Sequence, residues 1–133
     1  MSGPSVLPDV EWPPTRPFWE GCRRRVLQMP RCVCGAYIWY PQPRCPACRS
    51  DAIQWVPVSG RATLFTWTTV YRSFIADMPA PYVTGLVELI EDPQLRLATL
   101  LRGVGSERLR LGMPLRVDFE VVRDGIVVPV FRP

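Results

Sequence analysis

Lysine, histidine and asparagine are absent from these 133 residues, so all sixteen basic side chains are arginines and the net charge of +4 is carried by guanidinium groups. The absence of histidine excludes Ser/His/Asp and Cys/His nucleophile pairs, imidazole acid–base chemistry and the three-histidine catalytic zinc site. No two carboxylates stand at a spacing that reads as a site, so the chain reads as no enzyme on its own. Long apolar runs are missing too. None approaches the roughly eighteen residues of a membrane span, and the opening MSGPSVLPDVEWPP has neither the basic start nor the apolar stretch of a secretory signal. The expectation is a soluble, cytoplasmic protein without membrane contact. Arginine suits carboxylates and phosphates, but a genomic preference for arginine codons produces the same bias, so charge alone establishes no anionic ligand.

What the chain has in excess is proline, sixteen residues, which argues against a helix-rich bundle and for short strands and turns. Pro4, Pro8, Pro13 and Pro14, with Pro17 just beyond, make residues 1 to 15 an extended arm that orders only against something else. Thr15 suits an N-cap with Pro17 in the first turn, and Phe18, Trp19, Cys22 and Val26 recur at helical spacing, which predicts a helix over 16–28, ended by Pro30. Its other face carries Arg23, Arg24 and Arg25, which read as a solvated surface.

After the boundary at Val58-Ser59-Gly60 the composition changes. RATLFTWTTVYRSF (61–74) alternates as a long strand. PYVTGLVELI (81–90), with a bend or bulge expected at Gly85, and LRLATLLRG (95–103) form a hairpin around EDPQ. A helical turn over 106–114 precedes LRVDFEVV (115–122) and IVVPVF (126–131), where Pro129 calls for an exposed edge. Five strands in this order predict a mainly β protein: an N-terminal arm, helix and zinc ribbon over 1–56, then a five-stranded OB-fold barrel over 57–133.

The ribbon is RCVCGAYIWYPQPRCPACRS (31–50), with Cys32 and Cys34 separated by ten residues from Cys45 and Cys48. Four sulfurs delivered by two tight turns suit tetrahedral zinc, and Gly35 supplies the flexible position such turns favour. A disulfide is disfavoured in a reducing compartment, and a thioredoxin-type CxxC needs a strand-to-helix context that Pro41, Pro43 and Pro46 deny. With four protein ligands the zinc is expected to be structural. The fifth cysteine, Cys22, lies on the apolar stripe of the helix and reads as a buried small hydrophobe.

Taken in order, RPFWEGCRRRVLQMPRC, YPQPRCPAC, WVPVSGRATLFTWTTVYRSF, PYVTGLVEL, LRLGMPLRVDFE and VPVFRP resemble the family of small proteins that pair a rubredoxin-like zinc ribbon with an OB fold and associate with thiolase-like and other acyl-CoA enzymes. The resemblance covers residues 16 to 133 and departs at Cys32-Val33-Cys34, where metal-binding members carry CxxC. It implies a non-catalytic accessory subunit of a thiolase-fold acyl-CoA enzyme. Foremost is a retro-aldol lyase cleaving the side chain of steroid-CoA thioesters, with the partner holding the substrate and supplying the catalytic residues. A hydratase or acyltransferase complex is the related alternative.

Phe18, Trp19 and Trp55 suit a small core between helix, ribbon and barrel, whereas Tyr37, Trp39 and Tyr40, split over two faces, are candidates for partner contact. Arg61, Arg72 and Arg102 are candidates for touching the phosphates of coenzyme A. The rival reading is a single-stranded nucleic-acid binder with Trp67, Tyr71 and Phe74 as stacking platforms. The spread of acids among the arginines, with Glu88, Glu91 and Asp92 clustered, counts against it.

Overall fold

The computed structural model describes residues 7–74 and 78–133. The far end of the arm, with Pro4, lies outside them. The rest of the arm turns back on the chain, where the Trp12 carbonyl accepts the N–H groups of Thr15 and Arg16 at 3.1 and 2.9 Å. Helix α1 (Arg16–Arg23) follows, with Thr15 at the N-cap position, Pro17 in the first turn, and Phe18, Gly21 and Cys22 buried.

The helix is five residues shorter than its apolar spacing predicts, because Arg25 takes a left-handed conformation at φ 63°. The Arg25 N–H then reaches the Cys22 carbonyl at 3.0 Å and the Val26 N–H reaches the Gly21 carbonyl at 2.9 Å. These are the paired bonds of a Schellman closure, with arginine where glycine is usual. Of the residues assigned to the helix tail, Arg24 to Leu27 form the turn and connection, and Gln28 opens strand β1 (Gln28–Cys32). It pairs antiparallel with β2 (Ile53–Pro57), from Gln28 opposite Pro57 to Cys32 opposite Ile53.

The five remaining strands are β3 (Arg61–Val70), β4 (Tyr82–Leu89), β5 (Arg96–Leu101), β6 (Pro114–Arg123) and β7 (Ile126–Arg132). They close in the order β3-β4-β5-β7-β6, the strand order of an OB barrel. β3 meets β6 over Arg61–Thr63 and Pro114–Arg116, while β5 and β7 meet at a single parallel pair, Leu101 and Phe131. A short 3-10 turn (Ser106–Arg108) replaces the longer helical turn expected before β6.

The expected irregularity at Gly85 is displaced across the ladder. The register shift lies between Leu64 and Thr66 in β3, leaving Phe65 as the extra residue. It reverses the strand's facing: Ala62 and Leu64 are buried before it, and Trp67 turns inward after it. Gly85 serves the same region by close approach, since a Cβ there would stand 2.7 Å from the Thr66 carbonyl oxygen. The first strand ends at Val70, so Tyr71, Arg72 and Phe74 lie beyond it, exposed. Pro129 sits opposite Phe119 of β6, on the stretch of β7 that β5 does not pair, half-buried.

One hydrophobic core runs through helix, β1 and barrel, joining Phe18, Cys22, Leu27 and Met29 to Leu64, Val87, Leu97, Leu101, Leu115 and Phe131, with Trp19 and Trp55 packed against it. A second, smaller cluster of Cys32, Ile38 and Cys45 lies in the ribbon, flanked by Ala36 and Ile53. Among the described residues no helix is long and apolar enough to cross a membrane.

Candidate metal centre and barrel cleft

Cys32, Cys34, Cys45 and Cys48 come together with all four sulfurs within 4.8 Å of one another. Cys32 and Cys48 are 3.4 Å apart and Cys34 and Cys45 3.8 Å. A tetrahedron of sulfurs at 2.3 Å from a metal has edges of about 3.8 Å, so the thiols stand at close to metal-binding separation. The single residue between Cys32 and Cys34 does not prevent this, because the first loop is tightened from both sides. The Gly35 N–H bonds the Cys32 carbonyl at 2.8 Å, the Cys32 N–H bonds the Ala36 carbonyl at 2.8 Å, and Gly35 takes φ 95°. In the second loop the Cys45 N–H bonds the Ser50 carbonyl and the Arg49 N–H returns to the Cys45 carbonyl at 2.7 Å, with Arg49 itself left-handed at φ 66°.

Cys32 and Cys45 are buried on the inner side of the cluster, Cys34 and Cys48 exposed on the outer. The backbone N–H groups of Cys48 and Ala47 draw the Cys45 thiol down to about 7, against the opposing effect of burial. Cys48 goes the other way, up to about 12. The Ser50 backbone pulls it down, but the neighbouring thiols and the loss of solvent together outweigh that pull. Cys45 is therefore the first of this pair to ionise. Cys22, 0% exposed in the main core, is pushed up to about 12 by burial, the state of a packing residue and not of a nucleophile.

The three candidate arginines do not converge. Arg61 opens β3 and Arg72 lies past its far end, about 30 Å of strand away. Arg102 stands at the end of β5, donating Nε and Nη2 to Glu120 at 2.8 and 3.0 Å. Tyr37 and Trp39 pack against the main core, with the Arg31 guanidinium 4.8 Å above the Tyr37 ring, whereas Tyr40 is 64% exposed. Of the three proposed stacking platforms, Trp67 is packed against the core, and Tyr71 and Phe74 are exposed off the strand, with Arg72 over the Phe74 ring.

Sequence reasoning missed a cleft of about 1260 Å³ along the seam where β5 and β7 barely meet. Leu97 to Leu101 and Val128 to Val130 form its floor; Leu7, Pro8 and Trp12 of the arm, with Trp39 and Tyr40, form one wall. The signal available was Trp12, a large aromatic isolated among prolines. Arg102 and Glu120 lie in the cleft, bonded to each other, and the Thr99 hydroxyl there donates to the Leu100 carbonyl. Two more barrel arginines have carboxylate neighbours at 3.0 Å: Arg96 beside Glu88, and Arg132 beside Asp118, the latter without hydrogen-bond alignment.

With this geometry in view, residues 55–120 match the model of the ChsH2 C-terminal OB-fold domain. A probable enoyl-CoA hydratase alpha subunit of Thermomonospora curvata is 32% identical over 118 residues, which are 87% of this chain and 36% of that protein. The 3-oxo-4,17-pregnadiene-20-carboxyl-CoA hydratase alpha subunit of Mycobacterium tuberculosis is 31% identical over 102 residues, 77% of this chain and 32% of that one. The chain thus spans about a third of the length of these curated relatives. Among solved structures, the Ltp2-ChsH2(DUF35) aldolase superposes with a TM-score of 0.83 at 29% identity, covering 98% of both chains. A DUF35 protein of unknown function from Sulfolobus solfataricus, at 14% identity and a TM-score of 0.62 over 93% of this chain and 87% of its own, shares the fold.

Proposed function

The barrel belongs to the ChsH2 C-terminal OB-fold family, and on that premise we propose that the chain is a non-catalytic accessory subunit of a thiolase-fold acyl-CoA lyase acting on steroid-CoA side chains. The observation that carries this reading is the likeness, over nearly the full length of both chains, to a structure named as an Ltp2-ChsH2(DUF35) aldolase. A retro-aldol cleavage removes the proton of a β-hydroxyl, breaks the bond between Cα and Cβ, and leaves the electron pair on the thioester enolate, which is then protonated. That work needs a base and an oxyanion site. This chain has no histidine, and the charged pair in its cleft, Arg102 and Glu120, is mutually engaged. The partner supplies the chemistry and this chain supplies surface.

The four cysteines would hold a structural zinc, since four protein ligands leave no position for water or substrate. Tyr40 and Trp12, exposed on one wall of the cleft, are suited to a partner, with the Trp39 ring 4.9 Å from that of Tyr40. Arg102 is the arginine best sited to meet a coenzyme A phosphate near the cleft; Arg61 and Arg72 would do so only at separate edges of the partner. A cytoplasmic location fits the reduced cysteines this zinc requires.

A second reading, a subunit of an acyl-CoA hydratase, has the names of both curated relatives behind it. Affinity purification separates the two. The chain, tagged and expressed in its native host, is expected to co-purify stoichiometrically with a thiolase-fold lyase. Exclusive co-purification with a hydratase subunit would replace the first reading by the second, and a chain that cleaves acyl-CoA alone would overturn both.

A further inference from the structure

Both halves of the cysteine cluster are closed by the same device. Arg31 stands one residue before Cys32, and its Nε donates at 3.1 Å to the carbonyl of Gly35, one residue past Cys34. Arg44 stands one residue before Cys45, and its Nη1 donates at 3.2 Å to the carbonyl of Arg49, one residue past Cys48. The two acceptors are the two left-handed residues of the ribbon, at φ 95° and 66°. In each loop a guanidinium therefore bridges from the entry of the cysteine pair to its exit. Neither Arg31 nor Arg44 pairs with a carboxylate among the described residues.

We propose that Arg31 and Arg44 are positioning residues of the metal centre, each fixing the left-handed residue that closes its loop. This rests on the reading of the cluster as a zinc site. The clamp matters most in the first loop, where one residue between the cysteines leaves less backbone to adjust. Arg31 is also the better anchored of the two, its guanidinium lying over the Tyr37 ring, which gives Tyr37 a role in the ribbon itself.

The test is a competition titration of zinc between the full chain and a chromophoric chelator, with cobalt(II) absorption reporting tetrahedral thiolate geometry. Outer partners of metal ligands typically change affinity 10- to 100-fold. Arg31→Gln is expected to weaken zinc about tenfold, Arg44→Gln about fivefold and the double variant about fiftyfold. Arg31→Lys, which keeps the charge but not the planar fork, should fall between parent and Gln variant. Arg23→Gln, removing an exposed helix arginine, should leave the affinity unchanged. Gln variants within about twofold of the parent, or an Arg23→Gln loss as large as theirs, would overturn the proposal while leaving the zinc reading intact. A parent chain that takes up neither zinc nor cobalt would end both.

Discussion

The ribbon and the barrel are stabilised by different means. The barrel encloses an apolar core in which Val87, Val130 and Phe131 are wholly shielded from solvent. The outer ribbon has three buried residues, two of which are cysteines. A cluster that small supplies little apolar burial against the ordering of some twenty residues, and on the zinc reading proposed above the metal supplies the rest. The division does not follow the chain. Leu27 and Met29 belong to the large core although Met29 is a ribbon residue, and Cys32, three residues on, belongs to the small one. β1 is thus the beam by which the cysteine-bearing tip is mounted on the barrel body.

Substitutions at either end of that beam separate the two. Cys45→Ser carries the largest effect: it removes most of a metal-binding free energy that in zinc-finger peptides is about 10–16 kcal/mol. Hydrogen exchange should then show lost protection at Cys32 and Ile38, whose N–H groups bond Ala36 and Pro30, with β3 to β7 unchanged. Phe131→Ala does the reverse: it empties the barrel centre at a cost of about 3–5 kcal/mol in denaturant unfolding. Gly85→Ala should cost about 1–3 kcal/mol, because the new methyl meets the Thr66 carbonyl across the ladder.

Acid acts on the tip through its thiols. Metal binding displaces thiol protons, so affinity falls with pH. Below about 7, where Cys45 also carries a proton, one more must be released, and a plot of log affinity against pH should steepen there. The smallest effect is a gain. Arg25→Gly relieves the left-handed arginine after α1 and should stabilise the body by about 0.5 kcal/mol in thermal unfolding, net of the chain entropy glycine adds.

The same contrast explains what could be read from the sequence. The barrel strands announced themselves through period-two alternation and turn residues, because each has one face on the core, and the strand order follows from their lengths and spacing. The cysteine cluster was legible because ligand chemistry is local. What stayed hidden was set by tertiary contact. Arg24 to Gln28 read as a helix tail since nothing local marks Arg25 as left-handed, and the β1–β2 ladder joins residues more than twenty positions apart. The bulge at Phe65 lay one strand away from the glycine that invited it, because Gly85 makes room for the approach of β3 without itself leaving the ladder. The cleft arises from a strand pair that nearly fails to form, and an absent pairing leaves no pattern in the residues.

The central claim, that this chain completes a partner's active centre without reacting itself, is tested most directly by steady-state cleavage of a β-hydroxy steroid-CoA. The assay compares the chain alone, the thiolase-fold partner alone and the two mixed. The account predicts turnover only in the mixture, with kcat retained at saturating substrate, and at most KM raised, when Arg102 and Glu120 are together replaced by glutamine. Cleavage by this chain in the absence of any partner would contradict it.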